Sequence, residues 1–134
     1  MTVPKGPVVR ALFARIVRRY DLLNSLLSLG MVGRWRRFTL TRTGLRPGDA
    51  ALDVCAGTGT LSVELARQVG SGGQVTGLDF CGPMLDDARR RFPASRWPQL
   101  SFTEGDAHRL PYRDATWHAI TMAFGLRNLE APGQ

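Results

Sequence analysis

Gly57 and Gly59 stand one residue apart where an apolar run, Ala50-Ala51-Leu52-Asp53-Val54, gives way to a helical pattern bearing Leu61, Leu65 and Val69. Glycines at such a junction leave the backbone bare, and they accept positive φ at little cost. The helix that opens there aims unpaired N–H groups and the positive end of its dipole at the same point. That arrangement suits the anionic part of a nucleotide or of a carboxylate-bearing cofactor. A G-x-G after a strand is weak evidence alone, and Ser62 fills the place where the dinucleotide fingerprint needs a third glycine. Nicotinamide therefore loses ground. A second feature adds weight: Gln74-Val-Thr-Gly-Leu78 reads as a strand ending in Asp79, about 20 residues past the glycines, where a carboxylate can accept from a ribose diol. A third acid, Asp106, follows the strand-like Gln99-Leu-Ser-Phe102-Thr103 and precedes Ala107. Its carboxylate can accept from an exocyclic amine while the Ala107 amide donates to a ring nitrogen, a pairing that reads adenine.

The other groups with chemistry in them are scattered. Cys55 and Cys81 form no C-x-x-C pair, and His108 and His118 are each isolated, so the sequence predicts no metal site and two reduced thiols that serve packing.

These residues must be positioned by alternating strands and helices. After the second strand, Cys81-Gly82-Pro83 begins a helix with proline early, with Met84, Leu85, Ala88 and Phe92 facing inward and Arg89-Arg90-Arg91 at its negative end, where they compensate the dipole. Pro93 to Pro98 reads as a linker, and His118-Ala-Ile120-Thr-Met122-Ala-Phe124 as a fourth strand. Strands alternating with helices predict a parallel, doubly wound sheet, whose ligands lie beyond the carboxyl ends of the strands. Asp53, Asp79 and Asp106 fall in or near that rim.

The chain of 134 residues fits one domain. Its net charge of +7 is uneven: residues 1–46 hold ten Lys or Arg against one acid, Asp21, and the remainder holds eight arginines against ten acids. Val9, Leu12, Phe13, Ile16, Val17 and Tyr20 follow a helical face, so a helix over Val8 to Tyr20 is predicted, with arginines elsewhere on the wheel. Its apolar face either docks on the core or meets anionic lipid, with nucleic acid as a rival partner. A further helix is predicted from Gly33 to about Thr43, and Leu45-Arg-Pro47-Gly48-Asp49 as a turn that separates a basic helical cap segment (1–46) from the core (47–134). No apolar run approaches the roughly 20 residues that span a bilayer, and no secretory signal is visible, so a cytoplasmic protein is expected.

Several segments resemble a known family. An acid four residues before G-x-G, an acid closing the second strand and Asp-Ala after the third look like a class I S-adenosylmethionine-dependent methyltransferase. More particularly, Tyr20-Asp21-x-x-Asn24, Ser28-Leu-Gly30, Trp35-Arg36, Leu52-Asp53-Val54, Gly57-Thr58-Gly59, Leu78-Asp79-Phe80 with Met84-Leu85, Gly105-Asp106-Ala107 with Leu110-Pro111, and Phe124-Gly-Leu-Arg127-Asn128 resemble the ubiquinone/menaquinone biosynthesis C-methyltransferase family.

The resemblance implies an α/β fold, a Rossmann-like parallel sheet with an N-terminal helical cap. It also implies that the chain stops short of the family's further strands and helices, leaving the core incomplete. It implies S-adenosyl-L-methionine as cofactor, held by Gly57, Thr58, Gly59, Asp79, Asp106 and Ala107, and methyl transfer to a ring carbon of a prenylated quinol. Arg127 and Asn128, with Tyr20, Asp21 and Asn24 from the cap, become candidates near the acceptor; the general base stays unassigned. A membrane-borne substrate gives the basic N-terminal helix a reason to meet anionic lipid, at the inner face of the membrane, and leaves no role for nucleic acid. Two other classes stand beside this one: a methyltransferase with a nucleic-acid or other small-molecule acceptor, and a cofactor-binding module without activity. The sequence departs from the family at Thr60, at Trp117-His118 and at Ala123, where Asp, Phe-Asp and Ser are usual.

Overall fold

The computed structural model describes residues 31–123 without a break, together with Pro7, Val8, Ala11, Leu12, Arg15 and Leu26. Helix α1 (Met31–Arg42) leads into strand β1 (Ala50–Val54), helix α2 (Thr60–Val69), strand β2 (Gln74–Asp79), helix α3 (Gly82–Arg91), and strands β3 (Leu100–Glu104) and β4 (Ala119–Met122). The four strands are parallel in the order β3-β2-β1-β4. Strand order thus reverses beside β1, and the crevice at such a switch point is where open parallel sheets take ligands.

The helices form where the sequence alternates faces with the 3.6 period. In α2, Leu61, Leu65, Ala66 and Val69 are buried, and Gly70 at φ 66° ends the helix by donating its N–H to Ala66 O. In α3 the proline sits in the first turn and Met84, Leu85 and Ala88 are buried. Its terminal arginines reach back one turn, Arg89 to Asp86 and Arg90 to Asp87. Both helices pack on one face of the sheet, against Ala51, Val75, Leu100 and Phe102. Phe102 is the wedge of that face. A Cβ on Gly59 would sit 2.7 Å from its Cζ and one on Gly77 2.7 Å from its Cδ1, so both positions need glycine for close packing.

The opposite face is built differently. Leu52, Val54 and Leu78 are buried there under Cys55, Ala107, Tyr112 and Trp117, the last two rings meeting edge to face at 5.1 Å. The connection from β3 to β4 contains no helix, which departs from strict strand–helix alternation. Gly105 and Pro111 interrupt it, and Asp106 and Ala115, the latter at φ 56°, form turns. On β4, Ile120 and Met122 are exposed.

Strand β4 is shorter than the 118–124 run predicted, and α1 starts two residues before Gly33. His118 takes a capping role instead of opening the strand: its N–H donates to Ala50 O at 2.8 Å, and its Nδ1 accepts the Ala50 N–H at 2.9 Å. Helix α1 has no buried residue and is held at its C-terminal end, where Gln68 Nε2 donates to the Leu40 and Leu45 carbonyls. Most of the predicted helix over Val8 to Tyr20 lies outside the described residues; of its predicted apolar face only Leu12 is described, and it is exposed.

Candidate functional site

The glycine turn leaves β1 through Cys55, at φ 59°, and Ala56, whose N–H donates to Leu78 O on the neighbouring strand. Gly57 then adopts φ 58° and Gly59 φ 83°, both in the left-handed region that favours glycine. Gly59 is the N-cap of α2 and no side chain caps it. The first turn of α2 itself contains no acid. Thr58, between the glycines, is buried.

Asp79 closes on this turn. Its Oδ2 accepts the Gly57 N–H and its Oδ1 the Cys81 N–H, both at 2.8 Å, so the carboxylate ties the end of β2 to the turn after β1 and to the start of α3. Burial raises its pKa above the ordinary carboxylate value, and the backbone amides oppose that rise. A carboxylate offers about four lone-pair sites, so acceptor capacity remains for a hydroxyl donor arriving from the rim. The Gly57, Cys81 and Phe80 amides leave that capacity small, and one ribose hydroxyl is a donor of the kind it fits.

Asp106 lies at the adjoining strand end, since β3 pairs with β2 through Glu104 opposite Asp79, and Gly105 N–H donates to Asp79 O at 2.9 Å. The two carboxylates are therefore on the same edge of the sheet. Their environments differ: Asp106 is exposed, and its Oδ1 accepts the His108 N–H and faces His108 Nδ1, each at 2.9 Å. The His108 amide and ring hold its pKa below the ordinary value. Its Oδ2 takes part in neither contact. Ala107 is partly buried and packs against Leu52, Val54 and Leu78.

Asp53 does something the spacing did not reveal. It is buried on the helical face, accepting Ser62 Oγ–H at 2.7 Å on Oδ2 and Thr121 Oγ1–H at 2.9 Å on Oδ1. One carboxylate thus joins β1, α2 and β4 behind the glycine turn. Burial pushes its pKa up to about 6, against the two hydroxyl donors. Ser62, read from sequence only as a missing third glycine, is its partner. Thr121 and Gly77 were likewise unremarked; the one available signal was a hydroxyl and a glycine inside otherwise apolar strands.

Burial, followed by the nearby Asp79 and Asp53 charges, pushes the Cys55 thiol up to about 12. It is no nucleophile at neutral pH. Among the described residues no group of three His, Cys, Asp or Glu could hold a metal ion. Tyr20, Asp21, Asn24, Arg127 and Asn128 lie outside the described residues.

With this geometry in hand, similarity to known proteins becomes informative. The model of the ubiE/COQ5 methyltransferase family matches residues 1–132. A 2-phytyl-1,4-naphtoquinone methyltransferase of Nostoc sp. is 45% identical over 123 residues, covering 90% of this chain and 53% of the relative. A demethylmenaquinone methyltransferase of Beutenbergia cavernae is 46% identical over 121 residues, covering 90% of this chain and 47% of the relative. The chain spans about half the length of the curated relatives it matches. Among solved structures, a SAM-dependent methyltransferase from Aquifex aeolicus superposes with a TM-score of 0.65 at 27% identity, covering 72% of this chain and 52% of the other.

Proposed function

From the premise that this chain belongs to the ubiE/COQ5 methyltransferase family, we propose that it binds S-adenosyl-L-methionine at the β1–β2–β3 rim and serves methyl transfer to a ring carbon of a prenylated quinol. The observation that carries the reading is the placement of Asp79 and Asp106 on adjoining strand ends, beside a glycine turn that Asp79 itself fixes. Asp79 accepts a ribose hydroxyl, and its hold on the Gly57 amide keeps its carboxylate aimed at the rim. Asp106 and the Ala107 N–H recognise the adenine edge. The left-handed Gly57 leaves backbone open to the amino-acid end of the cofactor, whereas the bare side of Gly59 is filled by Phe102 and serves packing.

The cofactor supplies an activated methyl group on a sulfonium, so what the protein adds is alignment and exclusion of water. The protonated, half-buried Cys55 thiol does not compete for that methyl group. Demethylmenaquinol and a phytyl-naphthoquinol are the acceptors that the relatives' names favour, and the quinol is drawn from a membrane. No helix among the described residues is long and apolar enough to cross one. The test is transfer from methyl-labelled cofactor to each quinol. Label on the ring carbon is expected, weakly from a chain about half the length of its relatives; cofactor binding with label on neither quinol would reject methyl transfer by this chain in favour of a cofactor-binding module without activity.

A further inference from the structure

On the helical side of the molecule, a crevice of about 490 Å³ opens between α1, α2 and the end of α3. Its size is that of a small-molecule site. Four guanidinium groups line it, Arg36 and Arg37 from α1, Arg67 from α2 and Arg91 from α3, against a single acid, Glu64. Arg67 is already tied to Glu64 and lies over the Trp97 ring, and Arg91 reaches Asp87. Among the described residues no ion pair joins Arg36 or Arg37 to an acid.

On α1, Met31, Trp35 and Phe38 share one side of the wheel and are exposed, whereas on the side facing α2 Leu40 packs against the core and Arg36, beside it, is partly buried among the residues that line the crevice. Here guanidinium groups from three helices line one crevice, and Gln68 of α2 donates to the Leu40 carbonyl of α1 beside it. Such a cluster is repulsive until an anion enters it. A tetrahedral oxyanion suits it, because guanidinium forks bind phosphate oxygens in pairs.

We propose that this crevice is a seat for a phosphate group, free or carried by a lipid head group, and that its occupant clamps α1 onto α2. The site is separate from the strand rim and independent of the methyl-transfer reading. Two arms distinguish the sources. In the first, the chain is titrated calorimetrically with inorganic phosphate at fixed ionic strength; in the second, it is floated with phosphatidylcholine vesicles with and without phosphatidylglycerol. Saturable binding is expected in at least one arm, weakened at least about tenfold in the double variant R36A/R37A, whose side chains are exposed or half-exposed. A positive vesicle arm alone assigns the lipid head group, and a positive phosphate arm alone assigns a soluble phosphate. The double variant R36K/R37K, which keeps charge but loses the fork, should bind between the two. No binding in either arm, or R36A/R37A binding like the parent chain, overturns the proposal, as does a lysine variant equal to the parent.

Discussion

The two faces of the sheet are finished to different degrees. Against the helical face, Leu65, Val69, Val75, Leu85 and Phe102 are buried under two helices, and Asp53 spends both its oxygens joining β1, α2 and β4. Among the described residues, the opposite face is covered by one aperiodic crossover, in which Tyr112 and Trp117 shelter three residues while Ile120 and Met122 are exposed. The buried Trp117 Nε1 on that side has no hydrogen-bond partner, where the family's usual phenylalanine would need none. The contrast teaches where the site gets its rigidity. The glycine turn and Asp79 are braced from the helical side, and Asp106 forms a local turn on an exposed loop.

The sharpest way to break this comparison is to fill the space beside Phe102. Gly59→Val forces a β-branched residue to φ 83° and into the ring, and should cost about 4 kcal/mol or more, the sum of left-handed strain and overpacking; denaturant unfolding reads it, and a loss below about 1 kcal/mol would deny the wedge. Next, Leu65→Ala on the same face should cost about 3 kcal/mol by the usual cavity penalty.

The third effect is one of pH. Asp53 has a native pKa near 6 against an ordinary 3.8, so the folded chain holds the proton more tightly than the unfolded one. Its contribution to stability is full below the ordinary value and is lost as pH rises through about 6, on the order of 3 kcal/mol in all. The shift of Asp79 has the same sign, and that of exposed Asp106 the opposite one. Unfolding midpoints at acidic and neutral pH should therefore differ less in Asp53→Asn than in the parent, and an unchanged difference would place the effect elsewhere. Smallest is Ile120→Ser on the open face, expected within about 0.5 kcal/mol of the parent; a loss like that of Leu65→Ala would show this face to be as closed as the other.

How legible this was in the sequence follows the same division. The helical face announced itself, because Leu61, Leu65 and Val69 keep a strict period and Pro83 marks a helix start. The positions of the rim acids were legible too, Asp79 closing β2 and Asp106 following β3, and each also accepts a nearby backbone amide, as a cap or turn former does. The buried Asp53 network was not, because Ser62 and Thr121 meet it through register and crossover, which no local spacing encodes. Nor was the orientation of α1, whose Trp35 and Phe38 are exposed while Leu40 packs against the core. His118 shows the limit in miniature: it looked like the first residue of a strand and proved to cap Ala50 with its ring.

The rim acids can be tested without disturbing the core, since Asp106 is exposed while Asp79 is not. Calorimetric titration with S-adenosyl-L-homocysteine, the product nucleoside, should saturate at one equivalent for the parent chain and weaken about tenfold for Asp106→Ala, the expected loss of a charge-assisted hydrogen bond. Equal affinity in both chains, or none in the parent, would contradict a nucleoside lying across these strand ends.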